Sequence, residues 1–416
     1  MTTIHQTYFQ DTTQLDAFSR LKVSMPEPLF DNMSEYGNNT YHWEGLAVGS
    51  GAISTVANQN AVRLTTGGTT NTHKYTRQTK RYMRYQPGRS LNIEQTFVMS
   101  ATATNSRARI GYFDVDNGIF LERATGASAT TVSIVRRTKT SGSVVDNAVA
   151  QASWNVDPMT GSGPSGKTLD LTKSQIMFIQ LQYLGVGRVQ VGFVIDGIPY
   201  VCHQFLNANS LTLVYMSTGC LPVRGEVENT GTAGGTLTMD MICTSVSTGG
   251  IGLERLQFAR SNAITAISTT TTLKPLISIR AATLLGGTGG GGSITNRGHI
   301  QPLDYRALVT DQIHEFEIVL NGTLTGASWA ANNALSIADY DVSATAISGG
   351  TILDAGYIPA SGTGLGQPGA AGIAGTDAIP LVYSGLNSVQ DIVSICARTV
   401  SSTGTAYGAI TWIEEF

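Results

Sequence analysis

The stretch that decides the fold is Arg188–Val201, which reads RVQVGFVIDGIPYV. From Val189 to Ile195 every second residue is apolar, so these side chains share one face of an extended chain. The Asp196-Gly197 pair that follows readily adopts the positive φ angles of a two-residue hairpin turn. The stretch therefore predicts an antiparallel β-hairpin.

The same strand pattern recurs along the whole chain. Residues 110–121 (IGYFDVDNGIFL) and 315–324 (EFEIVLNGTL) each place Asn-Gly between two apolar runs, which predicts two more hairpins. Residues 175–183 (QIMFIQLQY) are more apolar and indicate a central strand, and residues 409–416 indicate a final one. Many short antiparallel strands separated by turns predict an all-β chain built on a jelly-roll-like β-sandwich.

The composition agrees with this fold class. The 416 residues include 47 Gly, and apolar residues make up 41%, which argues against disorder. Charged residues are only 13% and the net charge is −3, so the chain lacks the excess of cations that bulk nucleic-acid binding requires. We expect no nucleic acid among its partners.

Breaks in the pattern divide the chain into four parts. Residues 1–40 are predicted to form an extended N-terminal arm and residues 41–250 the jelly-roll-like β-sandwich. Residues 251–265 are predicted to form a connector with room for one helical turn, and residues 266–416 a second, C-terminal β domain.

The arm carries isolated apolar residues and one cation that we assign to an interface: Phe18, Arg20, Leu21, Leu29 and Phe30. Such residues either anchor the arm on another surface or cover the domain to which the arm belongs. The sequence leaves both alternatives open.

A second interface is predicted in the basic segment 74–85 (KYTRQTKRYMRY), where five cations are interleaved with three tyrosines. Arginine and tyrosine are enriched at protein interfaces, so we assign four of these residues to contacts between subunits. The alternatives are a solvated strand and a ligand site, because basic and aromatic residues are also suited to binding a ligand. The assigned residues are Arg77, Lys80, Arg81 and Arg84.

Patterns that would indicate catalysis or a cofactor are missing. The four cysteines form no CxxC pair, although Cys202 and Cys220 are candidates for a disulfide. No Gly-x-Ser-x-Gly nucleophile motif is present, and the glycine-rich stretch 286–292 lacks the Gly-Lys-Ser/Thr ending of a phosphate loop. The Asp114–Asn117 segment resembles a fragment of a calcium loop but predicts a hairpin turn. We therefore predict a non-enzyme without metal or cofactor.

The beginning of the chain has neither the basic nor the apolar region of a signal peptide, and no stretch reaches about 20 apolar residues. The expectation is synthesis in a cytoplasm and no membrane partner.

Residues 16–24 (DAFSRLKVS) and 28–31 (PLFD) resemble the "DAFGRLRVS…LFD" start of a family of virion structural proteins in tailed phages and some large viruses. Ser19 stands where that family usually has glycine. The resemblance covers residues 14–250 and is looser beyond them. Further similar segments are residues 84–90, 109–114, 185–197, 214–218 and 221–224.

The resemblance implies a non-enzymatic component of a phage virion, as a capsid decoration, vertex, tail or fibre protein. Together with the anchoring arm and the low charge, the resemblance predicts a homo-oligomer that assembles through its arm and sheet edges, a trimer or a pentamer being compatible. Its other expected partners are virion proteins such as capsid or tail components. Position on the head or the tail stays open. The alternative is a glycan- or receptor-binding module of a tail fibre or spike, with Trp154 as its stacking residue.

Overall fold

The computed structural model describes residues 26–100, 103–250, 256–262, 267–287, 294–359, 371–374 and 380–415. The chain divides into two compact units, Met1–Gly252 and Leu253–Phe416. Phe18, Arg20 and Leu21, assigned above to an interface, lie outside the described residues. Within the described ranges, no helix has the length and apolar character needed to cross a membrane.

In the described part of the first unit, the regular secondary structure is β-strand apart from one short 3-10 helix at Gln151–Ser153. The strands are β1 Glu27–Met33, β2 Trp43–Val48, β3 Ala52–Val56, β4 Ala61–Thr65, β5 Lys74–Thr79, β6 Leu91–Met99, β7 Ser106–Phe113, β8 Gly118–Thr125, β9 Thr130–Thr138, β10 Val145–Ala150, β11 Gln175–Leu181, β12 Val189–Ile195, β13 Ile198–Phe205, β14 Val223–Asn229 and β15 Thr238–Thr248.

These strands form two antiparallel sheets. One has the order β13-β12-β11-β6-β15-β4-β3, with β1 also beside β15, and the other has the order β10-β9-β8-β7-β14-β5-β2. Apolar residues of both sheets, such as Phe97 and Ile179 of the first and Ile110 and Val223 of the second, belong to one buried core. The predicted all-β class and the antiparallel β-sandwich are confirmed.

The hairpin at Arg188–Val201 is confirmed. Ile195 lies opposite Ile198 at the ends of β12 and β13. Asp196 and Gly197 connect them with φ angles of 54° and 78°, the left-handed conformation that this pair adopts at low cost.

The hairpin between β7 and β8 also forms, but with a different turn. Phe113 pairs with Gly118, so four residues connect the strands instead of the predicted Asn-Gly pair. The Asp114 carboxylate accepts hydrogen bonds from the backbone N–H groups of Asp116 (2.8 Å) and Asn117 (2.7 Å). A side chain that bonds its own backbone therefore makes this turn, as Asp commonly does.

Two predicted boundaries are wrong. Residues Glu27–Met33 of the predicted arm form β1, which pairs with β15, so this part of the arm covers its own domain. The predicted connector contains a strand of the second unit, β16 (Leu256–Ser261), and no helical turn in its described part. The centre of the Phe258 ring lies 6.2 Å from that of Trp412, and pairing with the final strand satisfies the backbone groups of β16 that face it.

The second unit is also built from antiparallel strands, as predicted for the C-terminal β region. After β16 come β17 Ile267–Thr269, β18 Lys274–Ala281, β19 His299–Val309, β20 His314–Leu320, β21 Thr323–Thr325, β22 Ala330–Ala331, β23 Ala338–Asp341, β24 Ala346–Ser348, β25 Thr351–Ile358, β26 Ala371–Ala374, β27 Leu381–Val382, β28 Ile392–Thr399 and β29 Gly404–Glu415.

Two six-stranded sheets contribute to the core of the second unit. One has the order β16-β29-β19-β26, with β17 beside β29 and β27 beside β19, and the other the order β22-β23-β18-β28-β20-β25. Ile410 and Trp412 of the first pack with Ile279 and Ile395 of the second.

The hairpin predicted over residues 315–324 is wrong. Asn321 does adopt a turn conformation (φ 56°), but β21 pairs with β24, and β20 lies between β25 and β28. The Asn321 N–H donates to Ile392 O (2.8 Å), and the Ile392 N–H donates to Asn321 Oδ1 (2.9 Å). These bonds to β28 direct the chain away from a hairpin.

Gly192 on β12 is a position where the packing of the first unit can be tested. A Cβ atom there would lie 2.1 Å from Tyr200 O and 2.6 Å from Phe178 Cζ. We expect Gly192→Ala to destabilise the unit by roughly 1–3 kcal/mol, as overpacking of a core does. A lower midpoint in urea unfolding, followed by far-UV circular dichroism, is the readout.

Gly126 is the matched control, because a Cβ atom there has no neighbour within 4 Å. Gly126→Ala should change stability by no more than about 0.5 kcal/mol. Equal unfolding midpoints for the two variants would contradict this description of β12.

Candidate functional site

The outer face of the seven-stranded sheet carries a row of charged side chains, which we name the charge ladder. On β14, Val223 and Val227 point into the core, and Arg224, Glu226 and Glu228 alternate with them on the other face. The ladder comprises Lys74, Arg107, Arg109, Glu122, Arg137, Asp146, Arg224, Glu226 and Glu228.

Arg109 lies at the centre of this ladder. It sits opposite Glu226 on β14 and opposite Glu122 on β8. Its Nε lies 2.6 Å from Glu122 Oε2 and its Nη1 lies 2.9 Å from Glu226 Oε1, while Nη2 lies 3.8 Å from Asp146 Oδ2. One guanidinium group therefore makes charge-assisted hydrogen bonds with carboxylates of two neighbouring strands and a longer ion pair with a carboxylate of a third strand.

Glu226 is buried and has two further cationic partners. Lys74 Nζ lies 3.2 Å from its Oε2 and Arg224 Nε lies 3.4 Å from the same atom. Burial alone would raise the pKa of Glu226, but the nearby charges of Arg224, Lys74 and Arg109 outweigh it and hold that pKa well below its ordinary value of 4.5. Glu226 is therefore ionised at neutral pH.

A small apolar cluster of Phe113, Phe120 and Val135 adjoins the ladder and is fully buried. The guanidinium carbons of Arg109 and Arg137 lie 5.3 Å and 5.1 Å from the centre of the Phe120 ring. Arginines of the ladder therefore lie over aromatic faces while they hold carboxylates, an arrangement that favours both contacts.

This chemistry favours a structural role for the ladder. Glycoside hydrolysis by a carboxylate pair requires one acid that stays protonated near neutral pH because its pKa is raised. The shift at Glu226 has the opposite direction. In the described residues, no group of three or more His, Cys, Asp or Glu side chains is arranged to hold a metal ion.

The charge ladder leads us to predict how the stability of the protein depends on pH. A carboxylate whose pKa is depressed by folding stabilises the protein fully above its unfolded pKa, and that contribution is lost as the pH falls. Replacing one partner of a buried ion pair costs roughly 3–5 kcal/mol. We expect Glu226→Gln to lower the urea midpoint near neutral pH, and its deficit relative to the natural chain to shrink below pH 4.5.

Asp196→Asn is the control for this experiment. Asp196 is exposed and pairs with Lys167 at 3.2 Å, so its loss should be nearly neutral at either pH. A Glu226→Gln deficit that is the same at neutral pH and at about pH 3 would contradict the assigned ionisation.

Two residues assigned to an interface from the arm, Leu29 and Phe30, lie on β1. Phe30 is buried, with its ring 5.7 Å from Trp43 and 6.0 Å from His42, and Leu29 packs against the same core. The prediction for Phe30 is corrected, because pairing of β1 with β15 turns this side chain inward. Leu29 is half-buried, and its interface assignment stays a prediction.

The basic segment 74–85 does not form one exposed strand. Strand β5 ends at Thr79, and beyond it Met83 forms an isolated bridge with Leu221. Arg81 Nη1 donates to Leu29 O at 3.0 Å. The interface assignment of Lys80, Arg81 and Arg84, all half-buried, stays a prediction.

Arg77 is buried, which corrects its assignment to an interface. Its side chain is 1% exposed, its guanidinium carbon lies 4.0 Å from the centre of the Trp43 ring, and Nε donates to Asn38 Oδ1 at 3.1 Å. Burial lowers the pKa of Arg77 to about 9. Inward orientation on β5 and stacking on an aromatic ring explain its position.

Trp154 is also buried, so the prediction that it stacks on a ligand is wrong. It is 4% exposed, and its Nε1–H donates to Val149 O at 3.1 Å. Trp43 and Trp412 are buried as well, and Trp329 is half-buried with Arg280 over its ring at 4.3 Å.

The four cysteines are free, so the disulfide considered for Cys202 and Cys220 does not form. Cys202 is buried with its Sγ 3.0 Å from Met159 Sδ, and burial raises the pKa of its thiol. A thiol with a raised pKa is a poor nucleophile.

The sequence patterns missed the loop between β1 and β2, residues 34–42. Tyr36 is 93% exposed and Tyr41 is 45% exposed, whereas the loop is held by the Arg77–Asn38 bond and by Asn39 O, which accepts from the Trp43 N–H at 2.9 Å. In the sequence, the loop is marked by two tyrosines among Gly and Asn residues. Most of the loop falls within residues 1–40, which the sequence patterns assigned to the arm.

No protein-family model and no curated protein matches this sequence. Solved structures resemble about half of the chain. A glycoside hydrolase family protein from Mycobacterium thermorestibile matches at 11% identity and a TM-score of 0.36, covering 52% of this chain and 99% of the other.

Two carbohydrate-related structures match to a similar extent. The legume lectin-like domain from Entamoeba histolytica has 11% identity and a TM-score of 0.28, with 51% of this chain and 91% of the other covered. The VIP36 exoplasmic/lumenal domain, solved in a Ca²⁺/Man3GlcNAc-bound form, has 11% identity and a TM-score of 0.32, with 56% and 92% covered. All three likenesses are remote.

Proposed function

We propose that this chain is a non-enzymatic structural protein of a virus particle that works by contact with copies of itself and with neighbouring virion proteins. The observation that carries the proposal is the charge ladder, the richest set of functional groups described, whose carboxylates are neutralised by cations of the same sheet. Groups held in this way stabilise strand pairing and are not available to a substrate. The resemblance of residues 16–31 supports residence in a virion.

The ends of the sheets support a role in assembly. Strand β10 ends the seven-stranded sheet, its residues are largely exposed, and the apolar side chain of Val145 is 44% exposed. An end strand presents backbone N–H and C=O groups along one side and accepts pairing with another chain. Only 13% of the residues are charged, so there is little charge repulsion between copies that approach each other.

Particle labelling tests the proposal directly. Antibodies raised against the purified chain should label intact particles of the virus that encodes it in immunogold microscopy. Light scattering after size-exclusion chromatography should show that the free chain is a homo-oligomer. Serum depleted with the purified chain is the control, and unlabelled particles together with a monomeric chain would refute the proposal.

A second candidate function is glycan or receptor binding by the loop of residues 34–42. The specific observation in its favour is the exposure of Tyr36 and Tyr41 on a loop that the Arg77–Asn38 bond holds in place. Exposed tyrosines on a fixed loop provide flat amphipathic surface at little entropic cost.

Tyr36→Ala tests the second candidate. If the loop binds glycans, the natural chain should give reproducible signals on a glycan array, and Tyr36→Ala should weaken them about tenfold, the effect of losing roughly 1.4 kcal/mol of contact. Leu206→Ala, a change of another exposed apolar residue in the same unit, should leave the signals unchanged. A blank array would eliminate this candidate and leave the first one standing.

A further inference from the structure

Strand β25 (Thr351–Ile358) is the end strand of its sheet, and we propose that it pairs antiparallel with β25 of a second copy of this chain around a two-fold axis. The inference rests on the proposed assembly role and identifies the surface that performs it. The pairing would join two six-stranded sheets into one continuous sheet.

The position of β25 leaves one side open among the described strands. In the sheet order β22-β23-β18-β28-β20-β25, β20 is its neighbour. The sequence TILDAGYI contains no lysine, arginine or proline, the residues with which proteins commonly block pairing at an edge. The register of β25 against β20 shifts by one residue at Leu353, so the regular part of the edge is residues 354–358.

The edge also exposes large apolar side chains. Tyr357 is 68% exposed, and Ile352 and Leu353 are also exposed on the same strand. Tyr357 lies opposite Glu315, and Glu315 alternates with the core residue Phe316, so the Tyr357 ring is on the face away from the core. Exposed apolar groups along an open edge favour association with another chain.

One backbone N–H group of β25 is bonded within its own strand. The Ala355 N–H donates to Oδ1 of the adjacent Asp354 at 2.7 Å, a bond within the strand and not to β20. Pairing with a second copy would offer this donor a backbone carbonyl, as in other cases of strand addition.

Charge repulsion selects between the possible registers of the two β25 strands. If the two-fold axis passes beside Ala355, Asp354 of each copy lies opposite Gly356 of the other, and Tyr357 of each copy meets the bulged residue Leu353 of the other. A register centred on Asp354 would place two carboxylates directly opposite each other, which is unfavourable. The nearby carboxylates of Glu315 and Glu317 are both held by Arg398, at 2.7 Å and 3.3 Å.

These features favour a second copy as the partner. The strand is self-complementary in the register centred on Ala355, and a two-fold contact uses the same patch on both partners. A two-fold contact is complete with two copies, because each β25 edge then has one partner strand.

The first test is the mass of the full chain in solution, measured by analytical ultracentrifugation. Tyr357→Lys should halve the mass of the assembly, because it places a charge at the centre of each apolar contact. Leu335→Lys changes another exposed apolar residue of the same unit and should keep the mass of the natural chain. Far-UV circular dichroism identifies any variant that fails to fold.

The second test detects the pairing without disrupting it. In the proposed register Ala355 lies opposite itself, at a Cα separation compatible with a disulfide. Ala355→Cys should give a covalent dimer under mild oxidation that a thiol reverses, and Leu335→Cys should give no more dimer than the natural chain.

The outcomes separate this inference from the proposed function. An oligomer that survives Tyr357→Lys, with no cross-link through Ala355→Cys, would overturn the pairing of β25 and leave assembly through another surface. A natural chain that is monomeric and absent from particles would overturn both. If Tyr357→Lys fails to fold, the cross-link decides.

Discussion

The first unit depends on the bonds that Arg109 makes with Glu226 and Glu122 across three neighbouring strands. Strand side chains alternate with a period of two, so a slip of one residue would move these charges into the apolar core and the core residues Ala108 and Ile110 to the outer face. The ion pairs on one face and the apolar packing on the other therefore specify the same register. A slip of one residue would satisfy neither, because an unpaired charge inside the sandwich is very costly.

This double constraint also bears on function. The side chains that most resemble catalytic groups are engaged in holding β5, β7, β8, β9, β10 and β14 together. Exposed side chains that other molecules can reach include residues at the ends of sheets and in loops, where strand pairing ends. Tyr36 in the loop before β2 and Tyr357 on β25 are such groups, and they belong to different units.

Arg77 and Trp154 show why surface residues are hard to identify from sequence. Arginine and tryptophan are typical of interfaces because each combines a large apolar surface with polar atoms. The same property allows them to be buried when partners are close. Arg77 stacks on Trp43 and bonds Asn38, which is 39 residues away, and Trp154 bonds Val149 across a 3-10 helix. Residue type alone cannot distinguish these two environments.

The sequence by itself determined the all-β class, the hairpin at residues 188–201 and the presence of two β units, because alternation and turn residues act over short separations. Tertiary structure decided which strands become neighbours. Asn321-Gly322 has the residues of a hairpin turn, yet bonds to Ile392 separate β20 from β21, and residues 27–33 lie against β15, more than two hundred residues away. The charge ladder was equally hidden, since Lys74, Arg109 and Glu226 meet only when β5, β7 and β14 are aligned side by side. Local propensity sets the conformation of a segment, whereas its partners depend on burial and pairing that involve the whole chain.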